Sequence, residues 1–195
     1  AARQWALKNP KAWEKEPLSI DDVLNARMVS YPLSVRDCCL VTDGGGAVVV
    51  TSAARAKDLK QKPVYVLGTG EYISHNMISQ MPDLTVSGAA HSGPAAFKMA
   101  GVKPSDIDAV ELYDAFTITT LLFLEDLGFC KKGEGGDYVS NGTTYLGGKR
   151  PNNTSGGHLC EGYTHGIAMV VENVRQLRHD VDDSCPMGPD GKRKH

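Results

Sequence analysis

Two short segments of this sequence have the composition of reaction sites. One is Glu111-Leu112-Tyr113-Asp114-Ala115-Phe116-Thr117, where a strand pattern gives way directly to a helix pattern. The other runs from Asn153-Thr154-Ser155-Gly156-Gly157-His158 to Gly162-Tyr163-Thr164-His165-Gly166, a glycine-bracketed turn that also leads into a helix. In open α/β sheets, catalytic side chains gather at such strand-to-helix junctions. Each segment sets one tyrosine there, and a phenol can donate a proton or, once ionised, accept one. Read singly, each tyrosine also fits an amphipathic rim residue with its hydroxyl in water. Other patterns promise less. His158 and His165 are seven residues apart rather than at the i, i+4 spacing of a helical zinc pair, so no metal site is expected. Asp43-Gly44-Gly45-Gly46 lacks the GxGxxG spacing and precedes a strand pattern, which predicts a tight turn at positive φ instead of a phosphate loop.

The elements that must position these residues follow an alternating order. Ser19-x-x-Asp22 starts a helix with an acidic first turn, while Pro10 and Pro17 break the preceding stretch into short pieces. The runs 47–51, 63–68 and 109–113 read as strands, and 53–60, 92–100, 117–127 and 164–178 as helices. Gly101 and Gly128 stop two of these helices, and Arg175, Arg178 and His179 suit the negative end of the last. The stretch 131–157 reads as a long Gly/Asn/Thr-rich loop. Strands alternating with helices predict an α/β domain.

Composition narrows the function classes. The chain has 195 residues, with 21 Lys+Arg against 23 Asp+Glu, and no basic excess of the kind a nucleic-acid binder carries. No stretch approaches the ~18–20 apolar residues of a membrane helix, and the first ten residues hold no signal-peptide core. Five cysteines without CxxC spacing predict a reduced, cytoplasmic protein. The opening without Met or helix cap, and the Pro/Gly-rich close, read as a piece of a longer polypeptide.

Taken together, the motifs resemble the thiolase superfamily, in its sterol-carrier-protein-X and lipid-transfer-protein-like branch. The matching pieces are Pro104-Ser105-Asp106-Ile107-Asp108, Glu111 to Phe116, Leu127-Gly128-Phe129-Cys130, Gly133-Glu134-Gly135-Gly136, Tyr145-Leu146-Gly147-Gly148-Lys149 and Asn153 to Gly157. Upstream, Tyr31-Pro32-Leu33, Asp37-Cys38-Cys39 and Asp43 to Ala47 fit the end of that family's N-terminal domain. The resemblance covers most of residues 1–180 except 71–90. It implies the layered αβαβα thiolase-like fold, here mainly its C-terminal half. Residues 1–60 would end the N-terminal domain, 61–180 would belong to an incomplete C-terminal domain, and 181–195 would form a loop or disordered tail.

The departures from the family pattern set the chemistry. Working thiolases carry Asn-Glu-Ala-Phe, or His-Asp-Cys-Phe in the sterol branch, where this chain has Tyr113-Asp114-Ala115-Phe116. They carry Gly-His-Pro where it has Gly162-Tyr163-Thr164. The family's nucleophilic cysteine lies outside these residues, and Cys185 sits in a Pro/Gly loop without the context of the second family cysteine. Paired tyrosines at these positions are similar to those of the thiolase-like aldolases of steroid side-chain degradation, which split a β-hydroxyacyl-CoA by retro-aldol chemistry. That likeness implies coenzyme A as part of the substrate, no tightly bound cofactor, a homodimer and a partner subunit with a DUF35-type OB fold. It makes Tyr163, ahead of a helix N-terminus, the base and Tyr113 the acid. Backbone N–H groups of Gly156, Gly157 and Gly162 become candidates for holding an enolate oxygen, with His158 and Asp114 as further substrate-binding residues. Two other readings fit the same residues: a conventional thiolase or acetyl-CoA acyltransferase, and a non-catalytic acyl-CoA or lipid-binding homologue whose tyrosines fill space.

Overall fold

A computed structural model describes residues 1–180. The tail expected over 181–195, with Cys185, lies outside the described residues. The N-terminal stretch folds as two short helices, α1 (Ala2–Ala6) and α2 (Ile20–Leu24). The Ser19 side chain accepts from the Asp22 amide, while Asp22 accepts from the Ser19 amide, so α2 starts on the expected capping box. A small hairpin, β1 (Met28–Ser30) and β2 (Leu33–Ser34), follows. After it come α3 (Ala53–Ala56), α4 (Ala89–Ala100), α5 (Thr117–Asp126), α6 (Gly135–Ser140), α7 (Gly157–Cys160) and α8 (Gly166–Arg178).

The expected helices form with shifted ends, α3 stopping at Ala56 rather than 60 and α4 starting at Ala89 rather than 92, and two further differences have local causes. Residues 131–157, expected as a loop, contain α6, whose first amide, on Gly135, donates to the Glu125 carboxylate on α5 at 2.9 Å. Tertiary support there overrides the poor helix propensity of Gly135-Gly136. The last helix begins at Gly166 rather than Thr164, because His165 takes φ 58° and cannot join the first turn.

The strand expectations fare differently. Residues 47–51 and 63–68 form no ladder among the described residues, and Val49, Val50 and Val66 are exposed. Their β-branched composition marks surface that needs cover, and here their neighbours are helices. Gly46 passes against Ile167 and Val171 of α8, and Gly68 against backbone atoms of α4. Gly44, Gly45 and Gly46 do not take positive φ, so the expected tight turn is corrected. A Cβ at Gly44 would meet the Thr164 methyl at 2.6 Å, and close approach is the reason for glycine there.

Residues 109–113, also expected as a strand, make one parallel bridge, Val110 with Asn152. The Asn153 side chain extends it by acting as a substitute peptide group. Its Oδ1 accepts from the Leu112 amide at 2.7 Å and its Nδ2 donates to the Leu112 carbonyl at 2.9 Å. Behind this pairing, Val110, Leu112 and Leu124 form a buried cluster with Phe123, Leu127 and Phe129 around it. Trp5 of α1 is fully buried and donates to the Thr144 carbonyl at 3.2 Å, which fixes the other side of the 144–160 segment. The two tyrosine-bearing segments are thus held side by side from both faces.

Candidate active site

The parallel run of 110–114 beside 151–158 brings Tyr113 and Tyr163 together although 50 residues separate them in the chain. Their hydroxyl oxygens are 2.5 Å apart. His165 completes the group, its Nδ1 lying 2.7 Å from the Tyr113 hydroxyl. The three rings cluster, with centroids 5.9 Å apart for the two tyrosines and 4.7 Å for Tyr163 with His165. Tyr163 and His165 line an open cleft of ≈ 590 Å³ whose other wall is Cys39 to Gly44, and Tyr113 meets the cleft through its contacts with these two side chains. That wall is tied to both segments: the Cys39 amide donates to Ala115 O, the Leu40 amide to His158 O, and the Tyr163 amide to Thr42 Oγ1.

Beneath the tyrosines lies a buried ion pair. Asp114 and His158 are 1% and 0% exposed. One Asp114 oxygen accepts from the His158 amide at 2.8 Å and from its Nδ1 at 2.9 Å, and the other accepts from the Leu159 amide at 3.3 Å. His158 Nε2 faces the His165 carbonyl at 2.9 Å. Both ring nitrogens therefore meet acceptors, an arrangement that only the imidazolium satisfies in full. Burial works to lower the pKa of His158, but the Asp114 hydrogen bond, the His165 carbonyl and the charges of Asp114 and Glu161 outweigh it, and the pKa is raised. The pair supports the turn: it anchors the start of α7 and holds the His165 backbone at positive φ.

Glycine is required where this turn touches the carboxylate. Gly157 has φ 62°, and a Cβ there would run into Asp114 Oδ2. The glycine amides do not face the cleft. Gly156 N–H donates to Asn153 O, Gly157 N–H to Ser155 Oγ, and Gly162 N–H to Gly157 O.

Electrostatics separate the two phenols. Burial first, then the hydrogen bond and charge of Tyr163 and the nearby Cys39, push the Tyr113 pKa well above the ordinary phenol value, so Tyr113 keeps its proton. Cys39 is itself pushed up, by burial and by its neighbour Cys38. Deeper in, Glu111 accepts from the Thr154 amide at 2.9 Å, and the Thr154 hydroxyl, with one hydrogen to give, lies 3.0 Å from the same Glu111 oxygen and 2.7 Å from Glu172 Oε1. Burial, with Glu172 and Asp114 nearby, raises Glu111 well above the usual carboxylate range. Sequence reasoning misses His165 as a member of the site. The signal that could find it is its place in the four-residue run Gly162-Tyr163-Thr164-His165, directly before a helix. Among the described residues, no group of three His, Cys, Asp or Glu side chains is arranged to hold a metal ion, and no helix is long and apolar enough to cross a membrane.

A strand-to-helix tyrosine, a glycine turn and a second tyrosine before the next helix define one side of a thiolase-type cleft. The thiolase C-terminal domain-like family matches residues 70–187, and the chain belongs to that family, with its α/β fold. The chain is 43% identical over 186 residues to the 17-hydroxy-3-oxo-4-pregnene-20-carboxyl-CoA lyase of Mycobacterium tuberculosis, covering 91% of this chain and 48% of that protein. It is 40% identical over 183 residues to a steroid side-chain-cleaving aldolase of Thermomonospora curvata, covering 90% and 46%. Among solved structures, the Ltp2-ChsH2(DUF35) aldolase superposes with a TM-score of 0.83 at 34% identity, over 92% of this chain and 49% of that one. The chain thus spans about half the length of the relatives it matches.

Proposed function

We propose that the full-length protein is a thiolase-like aldolase, a carbon–carbon lyase that cleaves a steroid side-chain β-hydroxyacyl-CoA into a ketone and a shorter acyl-CoA. The observation that carries this reading is the hydrogen bond between Tyr113 and the cleft-lining Tyr163, at the two positions where the family pattern of acyl-transferring thiolases has Asn or His. The names of the two relatives, a CoA lyase and an aldolase, support it.

Claisen cleavage needs a thiolate nucleophile, whereas retro-aldol cleavage needs only a base for the β-hydroxyl and an acid for Cα. Tyr163, as phenolate, takes the β-hydroxyl proton. The O–H electrons form the ketone carbonyl, the Cα–Cβ bond breaks, and its pair passes into the thioester enolate. Tyr113 then protonates Cα, and the proton gained by Tyr163 returns to Tyr113 across the 2.5 Å contact. The raised pKa of Tyr113 suits the acid. Tyr163 stands three residues before α8, whose 13-residue dipole favours negative charge at that end. Coenzyme A enters as part of the substrate. A second copy of the chain and a DUF35-type subunit are the proposed partners, the latter in line with the name of the solved aldolase. Within this reading, residues 1–60 close the N-terminal thiolase domain and 61–180 belong to the C-terminal one.

The test is to incubate the full-length protein, with and without a DUF35-type subunit, with a steroid β-hydroxyacyl-CoA and follow the ketone. Tyr113→Phe and Tyr163→Phe should each lower the rate by about 10²–10⁴-fold. Cleavage near the wild-type rate in both variants would sink the scheme. Products that form only when free coenzyme A is added, as two acyl-CoA species, would indicate acyl transfer instead.

A further inference from the structure

We infer that His165 is the proton reservoir of the tyrosine pair, a positioning residue that lets Tyr163 ionise near neutral pH. The inference rests on the acid–base reading above and extends it to a residue that reading leaves without a role.

A phenol ordinarily ionises near pH ~10, so a tyrosine base needs something to take its proton or balance its charge. The geometry supplies one candidate. Tyr113 has one hydroxyl hydrogen and two close polar neighbours, Tyr163 Oη at 2.5 Å and His165 Nδ1 at 2.7 Å. In the neutral group Tyr163 donates to Tyr113, and Tyr113 donates to an unprotonated His165 Nδ1. Two transfers connect the neutral and ionised forms. The Tyr113 hydrogen moves to His165 Nδ1 as the Tyr163 hydrogen moves to Tyr113 Oη. Tyr163 becomes phenolate, His165 becomes imidazolium, Tyr113 ends as it began, and no proton leaves the group.

The backbone holds His165 to this task. Its φ of 58° is uncommon for a side chain of this size, and His158 Nε2 donates to its carbonyl from below. The groups facing His165 are Tyr113 and Tyr163 beside it and His158 beneath, with Asp114 bonded to the other ring nitrogen of His158, and Cys39 and Asp43 line the same cleft. The His165 ring is exposed and exchanges protons with solvent directly.

Ultraviolet difference titration of tyrosinate in the full-length protein tests this without substrate. In the wild type, one tyrosine should titrate below the ordinary ~10, and Tyr163→Phe should abolish that signal. His165→Asn, chosen because asparagine tolerates positive φ, should move the signal up by about 1–3 pH units. At neutral pH, kcat/KM should fall by the matching ~10–10³-fold and recover as pH rises, a profile shift that a structural defect would not produce. A wild-type protein with no tyrosine titrating below its ordinary range overturns the inference before any variant is made. So does a His165→Asn titration that coincides with the wild type. If the titrations behave as expected and no β-hydroxyacyl-CoA is cleaved, the reaction assignment fails and the His165 coupling stands.

Discussion

Replacing Asp114 with Asn should destabilise the protein by about 3–5 kcal/mol, the range for removing one partner of a buried ion pair. Asp114 is 1% exposed and accepts three hydrogen bonds, from the His158 amide, the His158 ring and the Leu159 amide. An Asn side chain is the same size, so packing against Gly157 is unchanged. Its single oxygen can serve the two His158 donors, but its NH₂ then meets the Leu159 N–H, donor against donor. His158 loses its counter-ion at 0% exposure and is left either charged without compensation or neutral, with one of its nitrogens lacking a hydrogen-bond partner. For a domain of 150–250 residues, about 2–4 °C of Tm accompanies each kcal/mol, which sets about 6–20 °C as the upper range for the longer full-length protein. Urea unfolding and thermal melts of the full-length protein at pH 6 measure it. A double-mutant cycle with His158→Gln isolates the pair, and the double variant should lose less than the sum of the singles. A loss below about 1 kcal/mol for Asp114→Asn would refute the claim that this carboxylate organises the turn.

The same pair predicts a pH dependence. The raised pKa of His158 means the folded state holds that proton more tightly than the unfolded one, so the stabilisation is full below pH ~6.5 and is lost as pH rises through the folded value. Melts across pH 5–9 should show this fall, and His158→Gln should flatten it. Glu111 acts at lower pH: its raised pKa costs stability from pH ~4.5 upward, so Glu111→Gln should be more stable than wild type at neutral pH. That advantage should shrink on acidification, and an unchanged gap at pH 5 would count against a neutral Glu111.

Local signals make much of the helical frame legible. Ser19 with Asp22 caps α2, Gly101 ends α4, and Gly128 follows α5 at φ 78°. The strands are less legible as pairings. A β-branched run such as Val48-Val49-Val50 shows that a segment expects cover, but not which part of the chain supplies it, and 47–51 finds no ladder among the described residues. The two tyrosines are visible through their junctions. Asp114 and His158 stand near them in the sequence motifs, yet residue type alone does not separate a buried prop from a ligand contact. His165 escapes notice because its importance depends on a positive φ and on a contact with a residue 52 positions away.

The cleft wall at 39–44 lies outside residues 70–187, where the family match falls. The proposed reacting unit and the recognisable sequence module are therefore different objects. Grafting only the matched module onto a relative would transplant both phenols and His165 but leave behind Thr42, which holds the Tyr163 amide at 2.9 Å, and Leu40, whose amide donates to His158 O. The donor's phenols would then face a wall shaped for the recipient's own chemistry. Chimeras meant to exchange reaction type should be joined upstream of Cys38, so that the wall travels with the tyrosines it was built around.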